Sequence, residues 1–231
     1  AALLAGQKSV ALEAAAAVGD DVPVEVARDI VALQEMHAYL HLTRVAFGEW
    51  QAVLDMPLPD ASLRYASGLA WYARGVAAAR LGRSDILAQA IDSVTAIAEP
   101  ITDEPFASSI DIALHVLRAE HAAAAGSTSA AIEHLTQAAA LEDGLSYMEP
   151  PYWHKPVRHM LGAALLREGR FADAERAYRE DLHRFPENGW ALRGLVSALE
   201  GQGRHDDAAE ARAALAQAWS SADITLPAST F

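Results

Sequence analysis

The densest concentration of reactive side chains is the run Glu149-Pro150-Pro151-Tyr152-Trp153-His154-Lys155-Pro156-Val157-Arg158-His159. It holds a carboxylate, two aromatics, two imidazoles and two cations, stiffened by three prolines. Costly side chains on a connection between rigid elements are where binding concentrates, so one reading is a ligand site. The other is a long connection pinned by Trp153 and by a Glu149–Arg158 pair. A second constellation runs along helices further on. His159 and Arg193 stand 34 residues apart, with Trp190 one turn before Arg193. Arg and Trp are enriched at binding hot spots, and a guanidinium can hold a carboxylate in bidentate fashion. Tyr72, Glu120 and Asn188 are candidates for the same surface. The alternative is a solvated lining with Trp190 packed on the preceding unit.

Metal and catalytic chemistry find less support. His37 and His41 have the i, i+4 spacing that lets two imidazoles share a metal, and His154 and His159 lie close to Glu149. A catalytic zinc usually takes three protein ligands, and neither pair has a third placed by the sequence. There is no HExxH, GxGxxG, GxxxxGKS or GxSxG. The carboxylates Asp173, Glu175 and Glu180, and Asp206, Asp207 and Glu210, read as solvated helix faces with i, i+4 partners such as Glu175–Arg179. No catalytic residue, metal or cofactor is therefore assigned to this chain. The candidate ligand-binding residues are Tyr72, Glu149, Trp153, His154, Arg158, His159, Trp190 and Arg193.

Composition narrows the setting. The 231 residues are 52% hydrophobic, largely through Ala, and β-branched residues are few. Ala loses no side-chain entropy on entering a helix and lets helices approach closely. The charge of −13 argues against nucleic acid as the main partner, since phosphate binding needs a basic stripe. Without cysteine there is no disulfide, thiolate metal site or cysteine nucleophile. No apolar run has the length of a membrane span. A soluble chain is expected; the compartment stays open, with the cytoplasm as default. The chain opens without Met inside an amphipathic pattern, which suggests residues upstream, a targeting signal perhaps among them.

The elements that would position these residues form a repeat. Overlaid at a shift of 34 residues, Leu161 falls on Leu195, Leu165 on Leu199, Gly169 on Gly203, Arg170 on Arg204 and Ala174 on Ala208. That period is the tetratricopeptide length. The glycines end the first helix of each pair, where positive φ is needed, and the alanines fit where two helices cross. Pro186 ends the second helix of its unit. Earlier turn glycines are Gly6, Gly48, Gly82 and Gly126, spaced by 34 or by somewhat more than 40 residues. Longer connections are expected at Gly19–Pro23, Met56–Asp60, Glu99–Pro105 and Asp143–Pro151. A helix from about Asp29 to Phe47 should precede Gly48. The pattern predicts about eleven helices in one all-α domain over 1–222, a right-handed superhelix of antiparallel pairs. A partial repeat at 1–20 leads into pairs at about 24–60, 62–100, 105–143, 150–188 and 189–222, with an irregular tail at 223–231.

Leu161-Gly162, Ala174, Tyr178 and Pro186 fit the tetratricopeptide repeat signature, so the chain resembles that family. The segments YMEPPYWHKPVRHMLGAALL and AERAYREDLHRFPENGWALRGLVSALEGQG, with VAFGEWQAVLDMP and WYARGVAAARLGR upstream, resemble a group of bacterial tetratricopeptide proteins of mostly uncharacterised function. The resemblance implies a longer parent protein with a His-rich N-terminal half, and it brings no reaction with it. The function expected is a scaffold that binds a protein or peptide segment, an acidic group among the candidates, in its concave groove. Membrane and nucleic acid are not expected as partners. The alternative is the C-terminal part of a larger, metal-dependent enzyme whose catalytic half lies upstream.

Overall fold

The repeated Leu-x-x-x-Gly step closes helices by one mechanism. At Gly169 the chain turns left-handed (φ 69°). Arg170 N–H then bonds the Leu165 carbonyl at 2.9 Å and Gly169 N–H the Leu166 carbonyl at 3.0 Å. The same wrapping recurs one repeat later, where Arg204 N–H bonds Leu199 O at 3.0 Å. It satisfies carbonyls that the helix end would leave bare. All six glycines expected from the sequence have positive φ, and no other described residue does. The residue after each of the last two turns starts the next helix in the same way: Arg170 binds Asp173 (2.8 Å) and Arg204 binds Asp207 (2.7 Å) across the first turn.

This computed structural model describes residues 2–226 and 228–231; Asp20 is described by its backbone alone. Ala1 of the partial first repeat and Pro227 of the tail lie outside the described residues. The described chain is all-α, without strands. The helices are α1 (Lys8–Asp21), α2 (Val24–Asp29), α3 (Val31–Gln34), α4 (Tyr39–Ala46), α5 (Trp50–Asp55), α6 (Arg64–Arg80) and α7 (Ser84–Ala98). They continue as α8 (Phe106–Ala124), α9 (Thr128–Gly144), α10 (Arg158–Arg167), α11 (Phe171–Arg184), α12 (Gly189–Gly201) and α13 (His205–Ala218). A single 3-10 turn, Glu35–His37, lies between α3 and α4.

Two compact units result, one of residues 11–154 and one of residues 1–10 with 155–231. In the first, α6 packs on α7, α7 on α8 and α8 on α9, while α6 also meets α8 directly. First helices thus touch the first helix of the next pair, as in a stack of hairpins. Arg80 and the largely buried Glu120 join α6 to α8 with a 2.8 Å ion pair. In the second unit α10, α11, α12 and α13 pack in chain order, and α10 also meets α12. Ala174 and Ala208 are buried where those helices cross.

The sequence reading needs three corrections here. The helix expected over Asp29 to Phe47 is broken: α3 ends at Gln34, the 3-10 turn follows, and α4 starts at Tyr39. Gln34 leaves the helical row with its Oε1 accepting from Tyr65 N–H at 2.9 Å, which caps the start of α6. The break also takes His37 and His41 off a common α-helix, and His41 Nε2 lies 3.0 Å from the Pro57 carbonyl. The connection expected at Gly19–Pro23 is short, because α1 runs through Gly19 to Asp21. Thirteen α-helices replace the expected eleven among the described residues.

Candidate ligand-binding face

The eight residues singled out above fall into both units. In the unit of residues 11–154, Tyr72 projects from α6 and meets Trp153 (ring centroids 5.1 Å) and His154 (5.6 Å). Trp153 in turn lies 5.0 Å from His154. Tyr72 and Trp153 are each only 4% exposed, so they anchor the connection after α9. Burial, with the Glu120 carboxylate second, pushes the Tyr72 hydroxyl well above the usual phenol range. Phe106 packs edge-on against Tyr152 of the same connection. Glu149 is exposed and accepts a hydrogen bond from the Tyr147 hydroxyl. This cluster is packing, and the groove role expected for Tyr72 and Trp153 is corrected accordingly: neither presents a free ring.

Arg158, His159, Trp190 and Arg193 come together in the other unit, also more deeply than expected. Arg158 Nε binds Glu180 of α11 at 3.1 Å. His159 and Trp190 have no exposed surface, which corrects their assignment as solvent-facing groove residues. The Trp190 indole is enclosed on every side. His159 lies parallel to it (6.3 Å, 17°), Trp219 and Phe231 meet it edge-on at 5.6 and 5.7 Å, and the Lys155 ammonium sits 3.7 Å from its ring centroid. Its Nε1–H donates to the Leu3 carbonyl at 3.0 Å. A cation over an indole face is attracted by the ring quadrupole.

Beneath the indole is a buried polar group that the sequence reading did not assemble. Asn188 is the N-cap of α12, its Oδ1 accepting from Trp190 N–H at 3.1 Å. That bond fixes which way the amide points. Its Nδ2 therefore donates to His159 Nε2 at 2.6 Å and to Asp181 Oδ2 at 2.7 Å. Nε2 is then an acceptor, and the ring proton sits on Nδ1. Burial holds the His159 imidazole below its ordinary pKa, against an opposing pull from Asp181, so the ring stays neutral. Asp181 was passed over although Ala174, Ala177, Tyr178 and Asp181 share one buried stripe of α11. A carboxylate on an apolar stripe is the signal that would have found it.

What covers these residues is the chain's own tail. Ser229 is fully buried; its hydroxyl donates to the His159 carbonyl at 3.0 Å and lies 2.7 Å from the Tyr178 hydroxyl. The Leu226 side chain is 7% exposed. Its carbonyl stands 3.5 Å from Arg193 Nε, and Arg193 Nη1 donates to Ser197 Oγ at 3.1 Å. Arg193 therefore faces a peptide carbonyl where a carboxylate was expected. Tyr178 reaches this face from α11 by passing between glycines. A Cβ on Gly162 would lie 2.3 Å from the Tyr178 Cζ, and one on Gly194 2.1 Å, so only glycine leaves room for the ring.

Among the described residues no group of three or more His, Cys, Asp or Glu is placed to hold a metal, and no helix is long and apolar enough to cross a membrane. Comparison with family models, with curated proteins and with solved structures finds no match.

Proposed function

We propose that this chain is a binding module, without catalysis of its own, whose α10–α12 face takes an extended polypeptide segment. One observation carries the reading. An irregular stretch, residues 226–231, is seated on that face through side-chain and backbone contacts together, as a bound peptide would be. Terminal segments are poorly ordered unless tied down, so burial of Leu226 and Ser229 marks a surface suited to extended chain.

The finer architecture belongs to the same proposal. Within each unit the helix pairs are tetratricopeptide-type repeats winding in a right-handed sense, of the kind found in the bacterial group named above. Equivalent turns at Gly169 and Gly203, equivalent Arg–Asp contacts and equivalent buried alanines support it. Repeat arrays of this kind bind through the surface shared by successive first helices. The test is a peptide-display library screened on the full chain and on a chain ending at residue 224. Peptides should be retained, and Arg193→Ala should weaken the retained peptides at least tenfold with unchanged helicity. Retention of no peptide by either chain refutes the module.

A further inference from the structure

The tail is held in two separate ways, and the separation carries information. Its first hold is at Asp223. The carboxylate accepts from the backbone N–H groups of Lys8 (2.6 Å) and Ser9 (2.9 Å), and Asp223 N–H donates to the Gly6 carbonyl at 3.1 Å. These bonds satisfy two amides that the first turn of α1 leaves without intrahelical partners. They tie the tail's base and read nothing beyond it. The second hold is on the α10–α12 face and reads three residues. Leu226 is buried, and its carbonyl lies toward Arg193. Three residues on, the Ser229 hydroxyl fills a site with a carbonyl acceptor on one side and a buried phenol on the other. Two residues further, the Phe231 ring stands edge-on (77°) to Trp190.

Each contact is selective for chemistry. Ser229 donates to the His159 carbonyl and so is left to accept from Tyr178 O–H, which uses both capacities of a hydroxyl. An alanine in that place would leave a buried phenol without its partner. The indole edge-to-face contact asks for an aromatic ring. Resting on the peptide-binding reading above, we propose that residues 226–231 are a built-in competitor for the α10–α12 face. The partner that displaces them is an extended segment with the same spacing: an apolar residue, a Ser or Thr three positions on, and an aromatic two positions after that.

The tether makes the consequence measurable. A short flexible link presents its segment at an effective concentration of about 1 mM. If the free segment binds the open face more tightly than about 0.1 mM, the full chain then binds an outside peptide at least tenfold more weakly. The probe is a fluorescent peptide of residues 225–231 with an amidated end, so that only side chains and internal backbone are tested. It is titrated by anisotropy into the full chain and into the chain ending at residue 224, which keeps Asp223 and every helix. The expected result is binding to the shortened chain, at least tenfold weaker binding to the full chain, and at least tenfold loss for peptides carrying Ser229→Ala or Phe231→Ala. Equal affinity for both chains overturns the competitor. A folded shortened chain that retains library peptides but not this one also overturns it, while the binding module stands. Retention of neither overturns both. Should the shortened chain lose its helicity, the full chain with Ser229→Ala and Phe231→Ala replaces it. That variant should bind the probe at least tenfold more tightly than the unaltered chain, and no gain overturns the proposal. A dimer of the full chain that this double variant abolishes would place the tail on a second copy and overturn the arrangement within one chain.

Discussion

Replacing Asn188 by alanine tests the buried polar group most directly, because one side chain serves three partners. The N-cap bond to Trp190 N–H is lost, which costs about 1 kcal/mol. Asp181, 1% exposed, loses a donor at 2.7 Å, and a buried charged acceptor stripped of a donor costs about 2 kcal/mol. His159 offsets part of this, since its proton can move to Nε2 and point at Asp181 Oδ2, 3.3 Å away. The expected net loss is about 2–3 kcal/mol. Asn188→Ser restores the cap alone and should recover about 1 kcal/mol of it. Asn188→Asp keeps a capping oxygen but sets a second carboxylate beside Asp181, and should cost more than Asn188→Ala. Urea unfolding followed by tryptophan fluorescence gives the totals. Hydrogen exchange of α10–α12 amides places the loss, since opening free energies there should fall while those of α6–α9 stay put. An Asn188→Ala chain within about 0.5 kcal/mol of the original, or an Asn188→Asp chain as stable as it, would refute the network.

Further outcomes follow from burial. Glu35 is 8% exposed, and burial pushes its carboxyl up to about 8. The folded protein then keeps that proton where the unfolded chain releases it near 4.5, so the contribution is complete below 4.5 and fades as pH rises through 8. Glu35→Gln should flatten the fall in urea stability between pH 5 and 8 and gain on the original chain at pH 8 by on the order of 3 kcal/mol; parallel curves would exclude this. For His159 the sign is reversed. Its depressed folded pKa means stability is complete above the ordinary 6.5 and is lost as pH falls below it, with Asp181, Asn188 and Lys155 as the groups facing the ring. An NMR titration should find that imidazole still neutral below 6.5, and an ordinary midpoint would contradict the burial argument. Gly194→Ala should cost about 3 kcal/mol by overpacking against Tyr178, and less in a Tyr178→Leu background. Thermal unfolding of the four chains measures that coupling, and additive losses would rule out the ring as the obstacle.

Much of the frame was legible because backbone requirements write themselves into residue type. A left-handed turn tolerates few residues besides glycine, so Gly48, Gly82, Gly126, Gly169 and Gly203 could be read at a glance. His159, Trp190 and Arg193 were also read as one face, since a 34-residue repeat brings equivalent positions together. Their depth was not legible. What buries them is a stretch from Ser220 to Phe231 with no period and a turn at residues 2–6, and aperiodic sequence carries no signal of where it docks. The break at Glu35–His37 escaped for a related reason. No proline or glycine marks it, and Gln34 is diverted by a partner, Tyr65, that lies 31 residues away. Asp181 was hidden among the carboxylates of a charged helix, although its register set it apart.

Tyr178 belongs to the outer member of its hairpin, yet its oxygen arrives on the far side. The ring acts as a spacer peg, holding the two inner helices one aromatic thickness apart. Substitutions along α11 can therefore widen or narrow the gap between their neighbours without altering a single residue that a guest would meet. Selection could tune such a surface from behind.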